Sequence, residues 1–514
     1  MESVSQESKC ASVHEEKVMS DNMRDDVDHH RPLPDGYHPR TEEEKALSRS
    51  VNRKMDLFLL PFLSILYLFN GLDRGNVGNA QTQGFSKDIG VTPNDVNDSV
   101  SLFFVTFVIF QPISAAVGRL VGAKFWIPTL MFLWGGLTVA NAFVHGRGQL
   151  IAVRLLIGLC EAGFYPTALF YLSTFYTRYD LGVRIGLFFG QYAIAGAFSG
   201  AIAYGIFHMH GSLHNWQYLF VIEGALTMGF ALVSCAFLPS DPSSAWFLSK
   251  SERDFACERI RTDSESYTPS DLETNTSNKK TSQLTRSDIV ETMRDWKLWT
   301  ALVCNICASV PSQAFSVFLP LVVKGLGYTS IQANLMSVPP FVCGAVGLYL
   351  FTFSSDRYKE RGLHIVGGLI VCLIGLVMTI TIENNHGRYI ALCVLLIGSY
   401  ATSPLTMAWL SGNTPEPGKR SLVLGVNGFG NLAGVIGSQI FRSKYAPRYL
   451  VPFYATLGFI SFALVGYIAY RIMLKRVNVY RARKIATWTL ADIQAERMDN
   501  KRLGDKKYTF VYGL

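Results

Sequence analysis

The feature that most constrains this chain is a series of apolar stretches that recur along most of its length. A helix needs about twenty apolar residues to cross the hydrocarbon core of a bilayer. We predict about twelve such spans, at residues 57–76, 99–118, 125–144, 150–175, 185–207, 216–238, 298–323, 333–353, 364–382, 389–411, 422–441 and 451–473. The chain is therefore predicted to be an all-α membrane protein.

A polar stretch divides these spans into two groups of six. Only 17% of the residues are charged, and they concentrate in this stretch and towards the two ends of the chain. Such a pattern is typical of membrane spans joined by solvated loops. We predict a disordered tail at 1–53, a six-helix bundle at 54–239, a linker at 240–296, a second six-helix bundle at 297–474 and a tail at 475–514. A short amphipathic helix is expected in the linker near Lys250–Arg261.

Lysine and arginine beside the span ends predict the orientation of the chain, because loops rich in these residues stay in the cytoplasm. If the N-terminus is cytoplasmic, the inner loops carry several basic residues and the outer loops carry few. Both termini are therefore expected in the cytoplasm. The absence of a recognisable ER or peroxisomal signal favours the plasma membrane, with a vacuolar or other internal membrane as the alternative. Asn97-Asp98-Ser99 is a glycosylation sequon on the expected outer side.

Four charged residues stand out within the spans, where charge is costly and usually functional. Asp73 and Arg74 close the first span, and since helix neighbours point about 100° apart, they cannot form one simple pair. Arg154 and Glu161 lie two turns apart on one face of the fourth span. Apolar neighbours favour the neutral form of Glu161, as proton coupling requires. The alternatives are that Asp73 and Arg74 sit at the membrane interface, and that Arg154 and Glu161 only brace the bundle.

Further polar side chains within the spans predict a cavity between them. Asn427 and Asn431 are four residues apart and share a helix face. Each polar residue could serve helix packing alone, but together they would ring a cavity with hydrogen-bond donors and aromatic rings. Arg74 is its obvious anion clamp, because a guanidinium group binds a carboxylate through two parallel hydrogen bonds. The other candidates in or beside the spans are Gln191, Tyr192, Gln313 and Asn413.

Several other classes of function are not expected. The sequence shows no nucleophile elbow, P-loop or dinucleotide motif in a plausible setting, so we predict no catalytic residues, no enzyme activity and no cofactor. Cys304 and Cys307 lie on an apolar stretch and are predicted to be buried thiols. His208, His210 and His214 lie in a short loop without a carboxylate or cysteine, so no metal site is predicted. Despite the net charge of +8, the basic residues form no stripe for nucleic acid.

At these charged positions the chain resembles the major facilitator superfamily. Arg154-x-x-x-Gly158-x-x-Glu161-Ala162-Gly163 is similar to the fourth-helix motif of that family. Residues 355–362 resemble its loop motif between helices eight and nine, which implies a conformational gate made of Asp356, Arg357 and Arg361. The equivalent loop of the first half, residues 118–125, lacks the acid of the family pattern. This departure places the usual charge pairing of the first half in question.

Within that superfamily the chain resembles the fungal anion:cation symporters of the allantoate permease group. The similar stretches are residues 72–80, 161–166, 216–224, 238–242 and 409–413. The resemblance implies a monomer with two six-helix bundles that imports a small organic anion with a proton across the lipid bilayer. A nicotinate-like acid is the preferred cargo.

The same resemblance implies roles for individual residues. It assigns coupling and substrate binding to Asp73, Arg74, Arg154 and Glu161, of which we expect Asp73 and Glu161 to carry the proton and Arg74 and Arg154 to bind the substrate. Trp409, in one of the similar stretches, and the polar residues of the predicted cavity are further candidates for substrate binding: Gln191, Tyr192, Gln313, Asn427 and Asn431. The alternatives are a sensor of the same fold that does not transport, and an organic anion exporter or antiporter. The absence of a Gly-Pro element from the fifth span argues against an antiporter.

Overall fold

The computed structural model describes residues 41–265, 286–415, 417–498 and 504–514, and the ordered elements in these ranges are helices. Twelve helical segments are long and apolar enough to cross a membrane. This confirms the predicted fold class. They span Glu42–Thr82, Pro93–Val121, Ala123–Asn141, Gly146–Ser173, Arg184–Ile206, Asn215–Phe237, Trp296–Lys324, Ser330–Tyr358, Gly362–Thr381, Asn385–Gly412, Lys419–Ile440 and Leu450–Ile485. We refer to them as the first to twelfth spans, and to the first six and last six as the first and second halves.

The helices at the two ends of the series are longer than the apolar pattern predicted. The first begins at Glu42, within the predicted disordered tail, because Thr41 and Glu44 form a capping box that starts the helix before the apolar stretch. Residues 1–40 of that tail lie outside the described residues. The last helix, Leu450–Ile485, continues past the predicted start of the C-terminal tail. Helices also form at Lys250–Glu265, Arg286–Met293 and Leu490–Met498.

Four spans are interrupted helices. The fourth consists of Gly146–Glu161 and Phe164–Ser173, the eighth of Ser330–Met336 and Val338–Tyr358, and the tenth of Asn385–Ser399 and Thr402–Gly412. The eleventh comprises Pro417–Asn427, a 3₁₀ turn at Gly428–Asn431, and Leu432–Ile440. Discontinuous helices of this kind border the binding sites of many secondary transporters.

The halves pack against each other through the first and seventh, second and eleventh, and fifth and eighth spans. The first and seventh spans approach closely because the first carries glycine at the contact. A Cβ atom on Gly78 would lie 1.6 Å from the carbonyl oxygen of Val317 on the seventh span, and one on Gly75 would lie 2.6 Å from Ser199 Oγ on the fifth span of the same half. These contacts lie on the last two turns of the first span.

The start of the first helix at Glu42, the C-terminal segment at residues 504–514 and the helix Lys250–Glu265 lie at one end of the molecule, which we call the terminal face; the opposite end is the far face. A polar network joins the halves near the far face. Asn97 Nδ2 donates to the carbonyl oxygen of Ser438 at 2.7 Å, and the hydroxyls of Ser101 and Ser438 lie 2.6 Å apart. Arg442 Nη2 donates to Asp98 Oδ1 at 3.2 Å. The halves are therefore closed against each other at this face, and the amide of the Asn97 sequon is buried in the closure.

At the terminal face, charged contacts tie helix ends together within each half. In the first half, Arg184 forms two hydrogen bonds of 2.6 Å with Asp56, and Lys54 pairs with Glu252 of the linker at 2.7 Å. Asp56 lies on the first span, so this contact does not use the loop at residues 118–125 that lacks the acid of the family motif.

Candidate functional site

Arg74 and Glu161 form a buried ion pair near the middle of the first half. Arg74 Nε lies 3.3 Å from Glu161 Oε2, and Asn70 Nδ2 donates to the same oxygen at 2.9 Å. Asn70 and Arg74 are one helical turn apart, so both face the fourth span. Glu161 is the last residue of the helix Gly146–Glu161 and lies just before the interruption in that span. Its other carboxyl oxygen, Oε1, finds no hydrogen-bond partner among the described residues.

Aromatic rings surround the Arg74 guanidinium. Its central carbon lies 4.5 Å from the ring centre of Phe107 and 5.5 Å from that of Tyr192, and the rings of Phe103 and Phe104 lie within 6 Å. Rings at these distances attract a cation through their negative faces. The cation is thus held by the Glu161 carboxylate, whose oxygen Asn70 also contacts, and by several aromatic rings. In this setting the carboxylate of a substrate could replace that of Glu161.

Asp73 points to the other side of the first span, as the angle between helix neighbours predicts. Asn76 Nδ2 lies 3.4 Å from Asp73 Oδ1, and Arg154 and Glu223 lie within electrostatic range of the same carboxyl group. All of these side chains are buried. The alternative that Asp73 and Arg74 sit at the membrane interface does not describe their position in this structure.

A cavity lies between the halves beside Arg74, with about 760 Å³ of open space including the part continuous with solvent. Toward the terminal face its lining reaches Gln111, Ser403 and Met407. Among the described residues, Arg74 is the one charged side chain in the lining, and both aromatic rings and amides surround the space. The other lining residues are Tyr67, Phe107, Tyr165, Phe189, Tyr192, Asn305, Ser309, Ser312, Gln313, Tyr400, Asn427, Gly428, Gly430 and Asn431.

A hydrogen bond between Tyr192 and Gln313 crosses the cavity from one half to the other, and further amide contacts continue from it within the second half. Tyr192 donates its hydroxyl to Gln313 Oε1 at 3.3 Å, and Gln313 Nε2 donates to Asn431 Oδ1 at 3.1 Å. Deeper in the second half, Asn305 Nδ2 lies 3.5 Å from Asn427 Oδ1. These long, neutral contacts can exchange partners at small cost when a ligand enters.

The structure brings five of the predicted substrate residues to this cavity and leaves three elsewhere. Arg74, Tyr192, Gln313, Asn427 and Asn431 line it. Arg154 instead borders a smaller cavity that it shares with Arg74. Gln191 is half-buried outside the lining. Trp409 lies near the terminal face, where its indole nitrogen donates to the carbonyl oxygen of Gly513 at 2.8 Å.

The three predicted gate residues lie at the terminal face of the second half. Asp356 and Arg361 pair with each other at 2.5 Å, and Arg357 is exposed. The Arg361 backbone N–H donates to the carbonyl oxygen of Leu514 at 2.7 Å. In this structure the pair therefore joins the ends of helices and the C-terminal segment of one half. Its role in gating stays a prediction.

The sequence interpretation missed several residues that the structure brings to the site. Asn305, Ser309 and Ser312 follow one face of the seventh span at helical spacing, so a search for polar stripes within the spans would have found them. Asn70 lies one turn before Arg74 and could have been found in the same way. Glu223 is a carboxyl group inside a predicted span, and the rule that selected Glu161 selects it as well.

A comparison with known protein families identifies the family of this chain. The model of the Major Facilitator Superfamily matches residues 63–438. The chain belongs to the major facilitator superfamily. It is thus a membrane transporter of a family whose members move solutes across the bilayer.

Relatives of this transporter are found among fungi. It is 35% identical to the MFS-type transporter efuF of Hormonema carpetanum, over 82% of this chain and 84% of that protein. It is 30% identical to the high-affinity nicotinic acid transporter of Saccharomyces cerevisiae, over 99% of this chain and 90% of the relative. Among solved structures, the D-xylose-proton symporter shares the fold with a TM-score of 0.61 at 13% identity, over 80% of this chain and 96% of that one.

Proposed function

We propose that this transporter imports a small organic anion, of which a nicotinate-like carboxylate is the preferred candidate, together with a proton. The observation that carries the proposal is the buried Arg74–Glu161 pair beside a cavity whose lining has no other charged side chain. A single guanidinium in an aromatic cavity matches a monovalent aromatic acid. The name of the nicotinic acid transporter among the relatives supports the same class of cargo.

Competition for Arg74 provides the coupling in this proposal. A carboxylate in a low-dielectric site needs a cationic partner, and Arg74 can satisfy either Glu161 or the substrate. Protonation of Glu161 removes its charge and frees the guanidinium, which then binds the substrate carboxylate through two hydrogen bonds. When the substrate leaves, Glu161 releases its proton and pairs with Arg74 again. A proton carried with a monovalent anion cancels its charge, so the membrane potential no longer opposes entry.

The direction of transport follows from the proposed orientation. We assign the terminal face to the cytoplasm because the basic loops and the linker lie there. The structure is then closed on the outside, and the cavity reaches toward the inside. We propose that the protein acts as a monomer in the plasma membrane, that its halves rock about the cavity, and that Asp73 and Arg154 assist coupling while Asp356, Arg357 and Arg361 serve the inner gate.

The test combines accumulation with exchange of labelled nicotinate in proteoliposomes. Wild-type protein is expected to concentrate nicotinate when the outside is acidified. Glu161→Gln mimics the protonated acid permanently, so it should abolish proton-driven accumulation while labelled substrate still exchanges across the membrane. Glu258→Gln is the control, because Glu258 is exposed on the helix Lys250–Glu265, where it pairs with Arg261 at 3.8 Å, and it lies outside the cavity lining.

Two outcomes would count against the proposal. Full accumulation by Glu161→Gln would show that the proton binds elsewhere. Absence of nicotinate uptake by wild-type protein would reject this cargo, and the same vesicles would then be screened with other vitamin acids, ureides and small aromatic acids. Net efflux against a gradient under an inward proton gradient would indicate an exporter.

A further inference from the structure

A second buried carboxyl group in the first half lies outside the substrate cavity. Glu223 is on the sixth span and is 1% exposed. Neither of its carboxyl oxygens has a hydrogen-bond partner within 3.5 Å in the described part of the chain, and the side-chain amide of Asn76 is the polar group that interacts with it. An ionised carboxylate without partners is one of the least favourable groups a membrane protein can bury. Burial beside a single amide therefore favours the protonated form of Glu223 over the ionised form.

The groups around Glu223 and Asp73 come from three neighbouring helices. The first span contributes Asp73 itself and Asn76, which interacts with Glu223, and Arg154 of the fourth span lies within electrostatic range of Asp73. The third span packs on the sixth and contributes Thr138, whose hydroxyl interacts with Asp73 and does not titrate. Arg154 can neutralise only one of the two carboxylates. Asp73 and Glu223 therefore cannot both be ionised at low cost, and a proton must remain on the pair.

Unpartnered polar atoms are concentrated around this pair. Within the described residues, Asp73 Oδ2, Asn76 Oδ1, Thr138 Oγ1 and Arg154 Nε are buried with no hydrogen-bond partner within 3.5 Å, although Thr138 interacts more weakly with Asp73 and Asn76 with Glu223. Native structures leave few such atoms, so a concentration of them requires an explanation beyond packing. Donors and acceptors that are free to form transient hydrogen bonds are what a proton path needs.

Helical rise places these groups in order from the far face inward. Asn141 ends the third span at the far face, with Thr138 one turn inside. Counting from the far ends of their helices, Asp73, Arg154 and Glu223 all lie about 12 to 14 Å deep. Glu161 lies two turns, about 10 Å, further in than Arg154. The column thus runs from the far face to the proposed coupling residue, inside the first half.

We propose that Glu223 is a second proton-carrying residue, which with Asp73 passes protons between the far face and Glu161 by a route separate from the substrate cavity. Neither Glu223 nor Asp73 lines that cavity, so proton and substrate reach Arg74 and Glu161 from different sides. The inference rests on the proposed proton-coupled transport and adds to it the proton's path. Glu223 does not contact the substrate in this scheme.

The test uses Glu223→Gln, because glutamine keeps the size, neutrality and hydrogen-bonding capacity of the protonated acid. A merely structural role of Glu223 survives this change, whereas proton transfer does not. The matched control is Thr227→Val. Thr227 is buried one turn along the same helix, and its hydroxyl donates only to the Glu223 backbone carbonyl oxygen.

The first measurement needs no substrate. Infrared difference spectra of the purified full-length protein, taken between mildly acidic and mildly alkaline buffer, report carboxyl groups that gain or lose a proton. We expect Glu223→Gln to lose one component of the protonated-carboxyl band that wild-type protein and Thr227→Val retain. A Glu223→Gln spectrum with every wild-type component would overturn the proposal.

The second measurement uses labelled nicotinate in proteoliposomes. Glu223→Gln should lose the rise in uptake rate that outside acidification produces, while substrate exchange and its half-saturating concentration stay at the wild-type level. Restoration of the pH response by Glu223→Asp would support proton transfer. Unchanged pH-dependent uptake by Glu223→Gln would contradict it. If wild-type protein takes up no nicotinate, the proposed cargo fails, and the infrared comparison alone decides the role of Glu223.

Discussion

Arg74 is held by two kinds of contact that lysine reproduces only in part. A lysine keeps the positive charge but lacks the planar group that binds a carboxylate through two hydrogen bonds and stacks on aromatic rings. We therefore expect Arg74→Lys to raise the half-saturating concentration for nicotinate exchange about 10- to 100-fold, a loss of about 1.4 to 2.8 kcal/mol. Labelled exchange in proteoliposomes measures this change.

Arg119→Lys is a suitable control for this substitution. Arg119 also lies over an aromatic ring, that of Phe170 at 5.4 Å, but at the exposed end of the second span. Its replacement should leave exchange unchanged. Wild-type affinity in Arg74→Lys would mean that the substrate carboxylate binds another group.

For individual residues, the sequence predicted the direction in which a side chain points better than the residue that it contacts. Helix geometry alone predicts that the side chains of Asp73 and Arg74 point in different directions. It does not predict the contact between Arg74 and Glu161, because these residues are 87 positions apart and their contact depends on how the first and fourth spans pack. Trp409 illustrates the same limit. Its position on the tenth span was predictable, but its contact with Gly513 depends on where the C-terminal segment folds.

At the scale of helices and segments, the C-terminal residues are part of the second half. Tyr512 exchanges two backbone hydrogen bonds with the side chain of Asn478, and Gly513 does so with Asn413. Asp505 pairs with Lys419 at 2.9 Å and with Lys297. Hydropathy could not predict this docking, because the segment is polar and its contacts form with distant helix ends. Hydropathy also did not predict the interruptions in four spans, because the sequence stays apolar through each of them.

Asp505 should stabilise this docking at neutral pH. Burial raises the pKa of its carboxyl group, but Lys297 and Lys419 outweigh burial and lower the pKa to about 2. The lowered pKa stabilises the docked state at pH values above about 3.9, the ordinary pKa of an aspartate. This stabilisation is lost as the pH falls through about 2. Asp505→Asn removes this stabilisation at every pH and leaves the buried Lys297 and Lys419 to share the carboxylate of Asp295. We expect a loss of about 3 kcal/mol, as for other broken buried pairs.

Protease sensitivity and thermal unfolding of the detergent-purified protein would measure this loss. Asp505→Asn should expose the C-terminal segment to cleavage and lower the unfolding temperature. Asp492→Asn is the control within the same tail, since Asp492 is exposed and its contacts are with Thr489 at the start of its own helix. Equal protease resistance of the wild type and Asp505→Asn would show that the ion pairs do not hold the segment.

At the scale of the whole molecule, the two halves are held together at the far face by contacts that transport must break. Close backbone packing at Gly78 and the polar network around Asn97 and Ser438 lie on the same side of the cavity. Opening this face for substrate entry separates both. The short, mostly neutral hydrogen bonds of the network suit this purpose, because each contributes only about 1 kcal/mol net and water can replace it.

A cross-link across this network should trap the transporter closed at the far face. The hydroxyl oxygens of Ser101 and Ser438 are 2.6 Å apart, so cysteines at these positions are close enough for a disulfide, whose Cβ atoms lie about 3.5 to 4.5 Å apart. We expect oxidised Ser101→Cys/Ser438→Cys protein to lose both accumulation and exchange of labelled nicotinate, because both require the far face to open. A reductant should restore them, and each single variant should remain active under oxidation. If mass spectrometry shows complete cross-linking and exchange continues, then substrate does not pass between the halves at this face, and the rocking of two bundles about the Arg74 cavity is wrong.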